Sequence, residues 1–234
     1  MKKEEHTYKP EFKYTHDNPY HDKLSEFADF VLRDEEAEKN PGGWNKNIFK
    51  RVAPLCIEIG SGYGDFMAEY CTKYAEDNFV GMDYRFKRSF GVAKKLSKLP
   101  FQNFKFLRAK GERIEFMFAS GEVDKVFYFF PDPWPKKRHH KKRLFQEPFL
   151  AACHKTLKSQ GELLIKTDND QYFAWMLEHF ETYNETHKHF TVELKSFDLK
   201  ADFPEHFLSS FETKFEKIFL NQGIKIKALV LKNV

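Results

Sequence analysis

Hydrophobic and polar positions change along this chain in a pattern that predicts strands and helices in alternation. Short apolar runs predict strands at 55–59, 79–82, 104–107, 123–130 and 163–165. Amphipathic stretches between and after them predict helices at 66–74, 87–99, 114–118, 144–157 and 172–180. Such alternation indicates an α/β domain with a mostly parallel sheet and helices on both faces.

The two ends of the chain depart from this alternation. Residues 1–21 are polar and predict an arm, and the helical spacing of Leu24, Phe27 and Val31 predicts a helix over 22–38. In the tail, 190–194 and 224–231 predict two strands around a short helix that starts at Thr213. We therefore divide the chain into an N-terminal arm and helix, 1–50, and one α/β domain, 51–234.

Charge is concentrated in one place. The chain of 234 residues has a net charge of only +4, although residues 136–143 contain six Lys or Arg. A local excess of this kind favours a polyanionic partner bound at one site. A second basic cluster falls on the helix predicted at 87–99, where a solvated helix face and an RNA contact are both open.

The cysteine count and the hydropathy exclude several classes of protein. The three cysteines have no C-x-x-C spacing, which argues against a disulfide framework and a zinc site, so we expect no metal. No apolar run approaches the ~20 residues that span a bilayer. The start of the chain lacks the apolar core of a secretory signal. We expect a soluble, cytoplasmic protein without membrane contact, either a monomer or a homodimer.

A glycine-rich turn follows the first predicted strand of the domain. Gly60, Gly62 and Gly64 have G-x-G-x-G spacing, so the G-x-G-x-x-G fingerprint of dinucleotide folds is absent. Asp65 at the start of the next helix would repel a pyrophosphate. S-adenosylmethionine has no phosphate and carries cationic groups, which suits Glu58 and Asp65.

Four acids lie at or near strand ends: Glu58, Asp83, Asp132 and Asp168. Open α/β sheets bind ligands beyond the carboxyl ends of their strands, where the strand order reverses. Asp83 is placed to accept the ribose hydroxyls of a nucleotide, although it would also serve as a helix cap. Asp168 is likewise open to a capping role.

The segment after the strand predicted at 123–130 is the most informative in the chain. Asp132 lies between Pro131 and Pro133, Trp134 follows, and the basic run begins at Lys136. A fixed acid and an aromatic plane beside dense positive charge suit a nucleobase attached to phosphates. The alternative is a proline-rich turn followed by a solvated basic helix start.

These motifs, in this order, resemble the bacterial tRNA (guanine-N7)-methyltransferases. The resemblance covers about residues 55–216 and implies a Rossmann-like class I methyltransferase fold, with a seven-stranded sheet and an antiparallel C-terminal strand. It implies S-adenosylmethionine as cofactor and a tRNA guanine as substrate. The cofactor contacts that it implies are Glu58, Gly60, Gly62, Asp83, Lys110 and Asp132. The substrate contacts that it implies are Lys136, Asp168, Thr213, Lys214, Phe215 and Glu216.

Two positions in this set have a second interpretation. The family usually has Asp or Asn facing the adenine where this chain has Lys110, so backbone groups or Glu112 are alternatives for that contact. Thr213 and Glu216 also fit a helix capping box, and the two roles are compatible.

The expected chemistry is direct methyl transfer to N7 of a guanine in the tRNA variable loop. Because N7 carries no proton, no general base is needed, and Asp132 is the candidate catalytic residue. A carboxylate accepts from the N1–H and N2–H of guanine, whereas an arginine on O6 and N7 would block the nucleophile. The alternatives are an exocyclic amino-group methyltransferase, a non-catalytic RNA-binding protein and, least favoured, an NAD-dependent oxidoreductase.

Overall fold

The computed structural model describes residues 7–100 and 102–234. Within them, eight strands form one sheet in the order β1-β4-β3-β2-β5-β6-β8-β7. The strands are β1 Val31–Arg33, β2 Leu55–Ile59, β3 Asn78–Met82, β4 Phe104–Arg108, β5 Val123–Phe129, β6 Leu157–Thr167, β7 Phe190–Ser196 and β8 Lys227–Asn233. Only β8 runs antiparallel to its neighbours, β6 and β7.

The helices pack on both faces of this sheet. They are α1 Pro19–Lys23, α2 Asp65–Lys73, α3 Phe86–Leu96, α4 Ile114–Met117, α5 Glu147–Thr156, α6 Asp170–His187, α7 Leu199–Asp202 and α8 Lys214–Asn221. In β2, Leu55, Ile57 and Ile59 face the core beneath α5 and α6, while Cys56 faces the core beneath α2 and α3. No helix in the described ranges is long and apolar enough to cross a membrane.

The strand order reverses at β2. This strand pairs in parallel with β3 on one side and with β5 on the other, so the chain leaves it in opposite directions. Glu58 near the end of β2 is in register with Gly81 of β3 and Phe127 of β5. Ligands of open α/β sheets bind at this point.

The α/β architecture predicted from the sequence is confirmed, with one strand more than the seven expected. The predicted helix over 22–38 is wrong: after α1 and a short 3₁₀ turn, Val31–Arg33 pairs with β4 as an edge strand. The same apolar residues suit either structure, because Val31 is β-branched and the edge of β4 offers unpaired backbone groups. The amide of Phe106 donates to the carbonyl of Phe30 at 2.8 Å.

The described part of the N-terminal arm packs against the domain. The buried Arg113 donates to the carbonyls of Thr7 and Lys9 at 2.9 and 2.6 Å. The hydroxyl of Tyr14 donates to Glu38 at 2.9 Å, and Glu38 also pairs with Arg113. The arm is thus attached to the domain by a buried guanidinium.

A buried lysine holds the segment between β7 and β8 over the sheet. Lys166 of β6 donates to the carbonyls of Leu208 and Phe211 at 3.2 and 2.8 Å, and it forms an ion pair with Glu216. The three donors of its ammonium group are therefore all used. Burial raises the pKa of Glu216 and lowers that of Lys166, and the partner opposes the shift in each case.

We predict that Glu216→Ala lowers the free energy of unfolding by ~3–5 kcal/mol, because it leaves the buried Lys166 without a counter-charge. Urea unfolding measures the loss. The matched control is Glu212→Ala, which removes a partly exposed partner of Lys200 and should cost ~0–1 kcal/mol. Similar losses in the two variants would contradict this account.

Candidate active site

Two adjoining cavities lie beyond the carboxyl ends of the parallel strands. One of about 330 Å³ extends over β3 and β4, and one of about 360 Å³ extends over β2 and towards α8. Residues common to both are Gly60, Arg88, Phe129, Phe130, Pro131 and Asp132. The glycine turn and the proline turn therefore form the junction between the two cavities.

The glycine turn leaves its backbone open to these cavities. Gly60 has φ of +80°, and a Cβ built on it would meet nothing within 4 Å. The amides of Gly60 and Ser61 donate to the carbonyl of Met82 at 2.9 and 2.8 Å, which fixes the turn to the end of β3. Gly64 has a packing role instead, because its Cβ would lie 3.0 Å from Val92. The turn presents bare backbone to a ligand.

Glu58 lies beneath the turn, and its carboxyl group has no cationic partner among the described residues. Its side chain is buried, and its Oε2 atom has no hydrogen-bond partner in the described part of the chain. Burial, opposed by the Ser61 hydroxyl and reinforced by the charges of Asp83 and Asp65, raises the pKa of Glu58 to about 8. A buried acid of this kind is suited to a cationic or hydrogen-bond-donating ligand group.

Asp83 follows β3 and faces the smaller cavity. Its Oδ1 atom accepts from the Arg85 amide at 2.8 Å, and its Oδ2 atom lies 3.6 Å from the Arg88 guanidinium. Burial raises the pKa of Asp83, although these two groups oppose the shift. The N-cap residue of α3 is Arg85, and its side chain makes no capping hydrogen bond. Asp83 therefore shapes the turn before α3 and is not the cap of that helix.

Lys110 follows β4 and lines the same cavity together with Glu112. Its ammonium group lies 4.8 Å from the ring centroid of Tyr84 and 5.2 Å from that of Phe12 in the N-terminal arm. The cation is therefore directed at aromatic faces, and Glu112 is the acid on this wall of the cavity. Because an ammonium group only donates hydrogen bonds, Glu112 or the backbone is left as the acceptor for a base on this wall.

The proline turn after β5 is held in an uncommon backbone conformation. Phe130 and Trp134 have φ of 48° and 43°, values that non-glycine residues rarely adopt. The amide of Phe130 donates to the carbonyl of Lys166 at 2.8 Å, and the buried Arg143 donates to the carbonyl of Pro133, also at 2.8 Å. Asp132 lies between these anchors with its side chain 65% exposed, 3.2 Å from Arg85.

Residues from β6 and α8 close the larger cavity on its far side. They are Asp168, Thr213, Lys214, Phe215 and Phe219. Asn169, not Asp168, caps α6, since its side chain accepts from the Tyr172 amide at 2.8 Å. Burial raises the pKa of Asp168, with Lys227 opposing. The capping alternative for Asp168 is thus wrong, and its carboxylate faces the cavity.

The structure does not bring every predicted residue into the cavities. Glu216 is fully buried below the cavities, where it pairs with Lys166. Of the two residues of the predicted capping box, only Thr213 caps α8, because its hydroxyl accepts from the Glu216 amide at 3.1 Å. Lys136 is exposed beyond the proline turn and lines neither cavity. The remaining predicted cofactor and substrate residues line one cavity or both.

Sequence analysis gave three residues around this site no individual role, although two of them belong to the basic clusters. Arg88 lines both cavities, and Tyr63 lies between Arg88, Lys214 and Phe215, with ring-centroid distances of 5.7, 5.1 and 5.9 Å. Arg143, counted with the basic run, is buried between Tyr172 and Trp175. No sequence signal separates Arg143 from its exposed neighbours.

The second basic cluster also borders the site. A third cavity, of about 590 Å³, lies beside the 360 Å³ cavity. It is lined by Arg85, Lys87, Arg88, Lys95 and Lys214, together with Tyr63 and Asp65. Several of these cations are paired: Lys95 with Asp65, Arg88 with Asp83 and Arg85 with Asp132. The cluster is therefore part of the walls of the site and more than a solvated helix face.

Comparisons with known proteins agree with this geometry. A family model described as "Putative methyltransferase" matches residues 52–229. A tRNA (guanine-N(7)-)-methyltransferase of Leuconostoc mesenteroides is 34% identical over 215 residues, which cover 88% of this chain and 94% of that protein. A protein of the same name from Enterococcus faecalis is 32% identical over 196 residues, covering 84% and 90%.

Solved structures support the fold alone. A structure titled an antibiotic-related methyltransferase has a TM-score of 0.56 at 18% identity and covers 80% of this chain and 91% of its own. The 16S rRNA methyltransferase KamB has the same TM-score at 11% identity, covering 79% and 89%.

We predict that Glu58→Gln makes the ligand-free protein more stable than the wild type above pH 8. A raised folded-state pKa stabilises the protein at low pH, and this contribution is lost as the pH rises from the unfolded value of 4.5 through about 8. The difference between the variant and the wild type should grow over that window to at most roughly 4–5 kcal/mol. Urea unfolding at several pH values measures it, and a constant difference would contradict the proposed burial cost.

Proposed function

We propose that this chain, which belongs to the tRNA (guanine-N(7)-)-methyltransferase family, transfers a methyl group from S-adenosylmethionine to N7 of a guanine in the tRNA variable loop. The observation that carries the proposal is the position of Asp132 at the junction of two cavities. Asp83 lines the smaller cavity, Glu58, Asp168 and the start of α8 line the larger one, and Gly60 of the glycine turn lines both. A cofactor and a base could therefore meet beside one carboxylate.

The residues around the glycine turn fit the cofactor. The unpartnered Oε2 of Glu58 suits an ammonium group, and the uncovered backbone of Gly60 and Gly62 allows close approach. Asp83 is an acceptor for ribose hydroxyls at the end of β3, where such acids occur in nucleotide-binding folds. The wall formed by Lys110 and Glu112 would border the adenine. The bound cofactor supplies an electrophilic methyl group on a sulfonium.

The larger cavity supplies acceptors for the edge of a guanine. Asp168 faces it from the end of β6, and Asp132 faces it from the proline turn. Ionised carboxylates only accept hydrogen bonds, which matches the N1–H and N2–H donors of guanine. Thr213, Lys214 and Phe215 line the opposite wall, where an aromatic ring and a cation are available to the base and its phosphate. Reading the base by acids leaves N7 free.

The reaction requires alignment and electrostatics rather than proton removal. N7 has an in-plane lone pair and no proton, so the protein must hold the reacting atoms ~3–3.5 Å apart. Positive charge moves onto the purine during transfer, and the carboxylate of Asp132 would stabilise it. Arg85 pairs with Asp132 before substrate binds, so this contact must loosen or be shared as the base enters.

The exposed cations after the proline turn are suited to the tRNA backbone. Lys136, Lys137, Arg138, Lys141 and Lys142 are exposed, whereas Arg143 is turned into the protein. Contacts of this kind provide affinity and register without reading sequence. The amino-group methyltransferase alternative is not favoured, because the related proteins are named as N7 methyltransferases.

The test of the function is the identity of the modified nucleoside. Unmodified tRNA is incubated with labelled S-adenosylmethionine, digested completely to nucleosides and analysed by mass spectrometry against standards. The proposal expects the label in 7-methylguanosine, and nuclease mapping should place it in the variable loop. Label in N6-methyladenosine or in a methylated pyrimidine would overturn it.

We predict that Asp132→Asn leaves cofactor affinity within a few-fold and lowers single-turnover methyl transfer by at least ~100-fold, the scale of one electrostatic catalytic group. Calorimetry measures the affinity, and quenched-flow transfer to tRNA measures the rate. The control Arg85→Gln removes the partner of Asp132 but keeps the carboxylate. Equal loss of affinity and rate in Asp132→Asn would reassign this residue to cofactor binding.

We predict that changing Lys137, Arg138, Lys141 and Lys142 together to Gln weakens binding to every tRNA. The salt dependence of binding should flatten by up to ~0.7–0.9 in log–log slope for each lost phosphate contact. Arg143 is left intact because it is buried. The matched control changes four exposed lysines outside the cavities: Lys46, Lys50, Lys188 and Lys195. Equal slopes for the two quadruple variants would show that the basic run is not the tRNA contact.

A further inference from the structure

A cluster of two histidines and one aspartate lies at the edge of the sheet, away from the cavities. His16 and His21 belong to the N-terminal arm and α1, and Asp34 directly follows β1. One atom from each of the three side chains lies within 4.8 Å of the other two. None of these residues has a part in the proposed methyl transfer.

The spacing of these three atoms matches one face of a metal coordination polyhedron. The Nδ1 atoms of His16 and His21 lie 3.3 and 3.2 Å from Oδ2 of Asp34, and 3.5 Å from each other. Ligands at the 2.0–2.1 Å bond lengths of tetrahedral zinc are separated by roughly 3.3–3.4 Å. The three distances therefore describe one triangular face of such a tetrahedron.

The carboxylate is buried and aimed at the histidines. Asp34 is fully buried, and its Oδ2 atom has no hydrogen-bond partner in the described residues. Its other oxygen, Oδ1, accepts from the equally buried Arg108. Asp34 also has φ of 51°, a conformation that costs energy for a non-glycine residue and persists only where the surroundings fix it. The structure thus holds one buried carboxylate oxygen in a fixed place, with the two imidazoles as its near neighbours.

Outer contacts orient the ligands as they do in known metal sites. When Nδ1 of His16 binds an ion, its Nε2–H is free to donate to Glu35, whose Oε2 lies 3.2 Å away. A metal-bound histidine that donates its other nitrogen to a carboxylate is a common arrangement. Arg108 orients Asp34 in a similar way, because it donates to Oδ1 and leaves Oδ2 facing the histidines. The side chain of His16 is partly exposed, so a fourth position is open to water.

We propose that His16, His21 and Asp34 form a binding site for one divalent transition-metal ion of the zinc class, which fixes the N-terminal arm to edge strand β1. Two imidazoles and one carboxylate are a donor set that zinc accepts, with water as the fourth ligand. The proposal departs from the expectation of no metal, which rested on the cysteines and did not consider histidines.

The histidine–aspartate cluster is connected to the smaller cavity through one residue. Arg108, which holds Asp34, also donates to the carbonyl of Tyr84 at 3.2 Å, and its guanidinium lies 4.4 Å from the Tyr84 ring centroid. Tyr84 lines the smaller cavity. An ion at the edge would therefore stabilise the wall of that cavity without contacting cofactor or substrate.

The experiment uses the full chain without a polyhistidine tag, because a tag would itself bind the probe. The protein is stripped with a chelator, and Zn²⁺ is titrated by calorimetry, with Co²⁺ as a spectroscopic probe of tetrahedral coordination. We expect one ion per chain, the visible bands of tetrahedral Co²⁺ and a higher Tm when Zn²⁺ is added. Absence of binding to the wild-type chain would overturn the proposal and leave only a histidine–aspartate contact.

Single variants test the assignment. Glu35→Gln, which removes an outer partner, should weaken Zn²⁺ binding by ~10–100-fold. His16→Gln and His21→Gln should weaken it more and abolish the Co²⁺ bands, whereas Asp34 is left unchanged to keep the buried pair with Arg108. The control His187→Gln removes another exposed histidine near a carboxylate, Glu147 at 3.9 Å, and should bind as the wild type does.

Two outcomes of this series contradict the site. Full Zn²⁺ affinity in both His16→Gln and His21→Gln would place the ion elsewhere, and loss of affinity in His187→Gln would do the same. Unfolding in the presence of chelator separates metal loss from misfolding, because a variant that only lacks a ligand should then match the stripped wild type. If one histidine variant is less stable than the stripped wild type in the presence of chelator, the Zn²⁺ affinity of the other histidine variant tests the site.

Discussion

The parallel pairing of β2 with β3 on one side and β5 on the other is the constraint on which the site depends. It brings the ends of strands that are far apart in sequence to one edge, so Glu58, Asp83 and Asp132 meet although some 74 residues separate the first from the last. These acids differ in how far their side chains are buried and in whether a cation is paired with them. Glu58 is buried without a counter-charge, whereas Asp132 is largely exposed and paired with Arg85. In the proposed function, this difference in burial separates Glu58, which would bind the cofactor, from Asp132, which would act on the reacting atoms.

Lys166 connects this edge to the C-terminal part of the chain. Its ammonium fixes the turn before α8 through two carbonyls and Glu216, and its backbone carbonyl accepts from the amide of Phe130. One residue thus positions both the proline turn and the opposite wall of the larger cavity. A buried ion pair contributes little net stability, but it specifies which segment is bound and where. The placement of Thr213 and Phe215 follows from it.

Periodicity predicted the sheet and most of its helices because strands buried on both faces are short apolar runs, and such runs are visible in the sequence. It failed at Val31, where helical spacing and an edge strand use the same residues and only the free edge of β4 decides between them. Motifs pointed to most of the predicted residues that line the two cavities, since strand-end acids converge by topology. They could not distinguish Arg143 or Glu216, whose burial depends on distant partners. Lys166 is visible in the sequence as a charge within an apolar strand.

The edge strand that periodicity missed connects the N-terminal arm to the candidate site. Pairing of β1 with β4 places Asp34 beside Arg108, and Arg108 donates to the carbonyl of Tyr84, which lines the smaller cavity. The arm approaches the same wall independently, because Lys110 lies between the rings of Phe12 and Tyr84. Where the resemblance implies an Asp or Asn, this chain has a lysine whose ammonium lies between two aromatic rings. Phe12 of the arm and Tyr84 thus hold the Lys110 ammonium at the wall of the smaller cavity, so the lysine at position 110 and the packed arm form one structural feature.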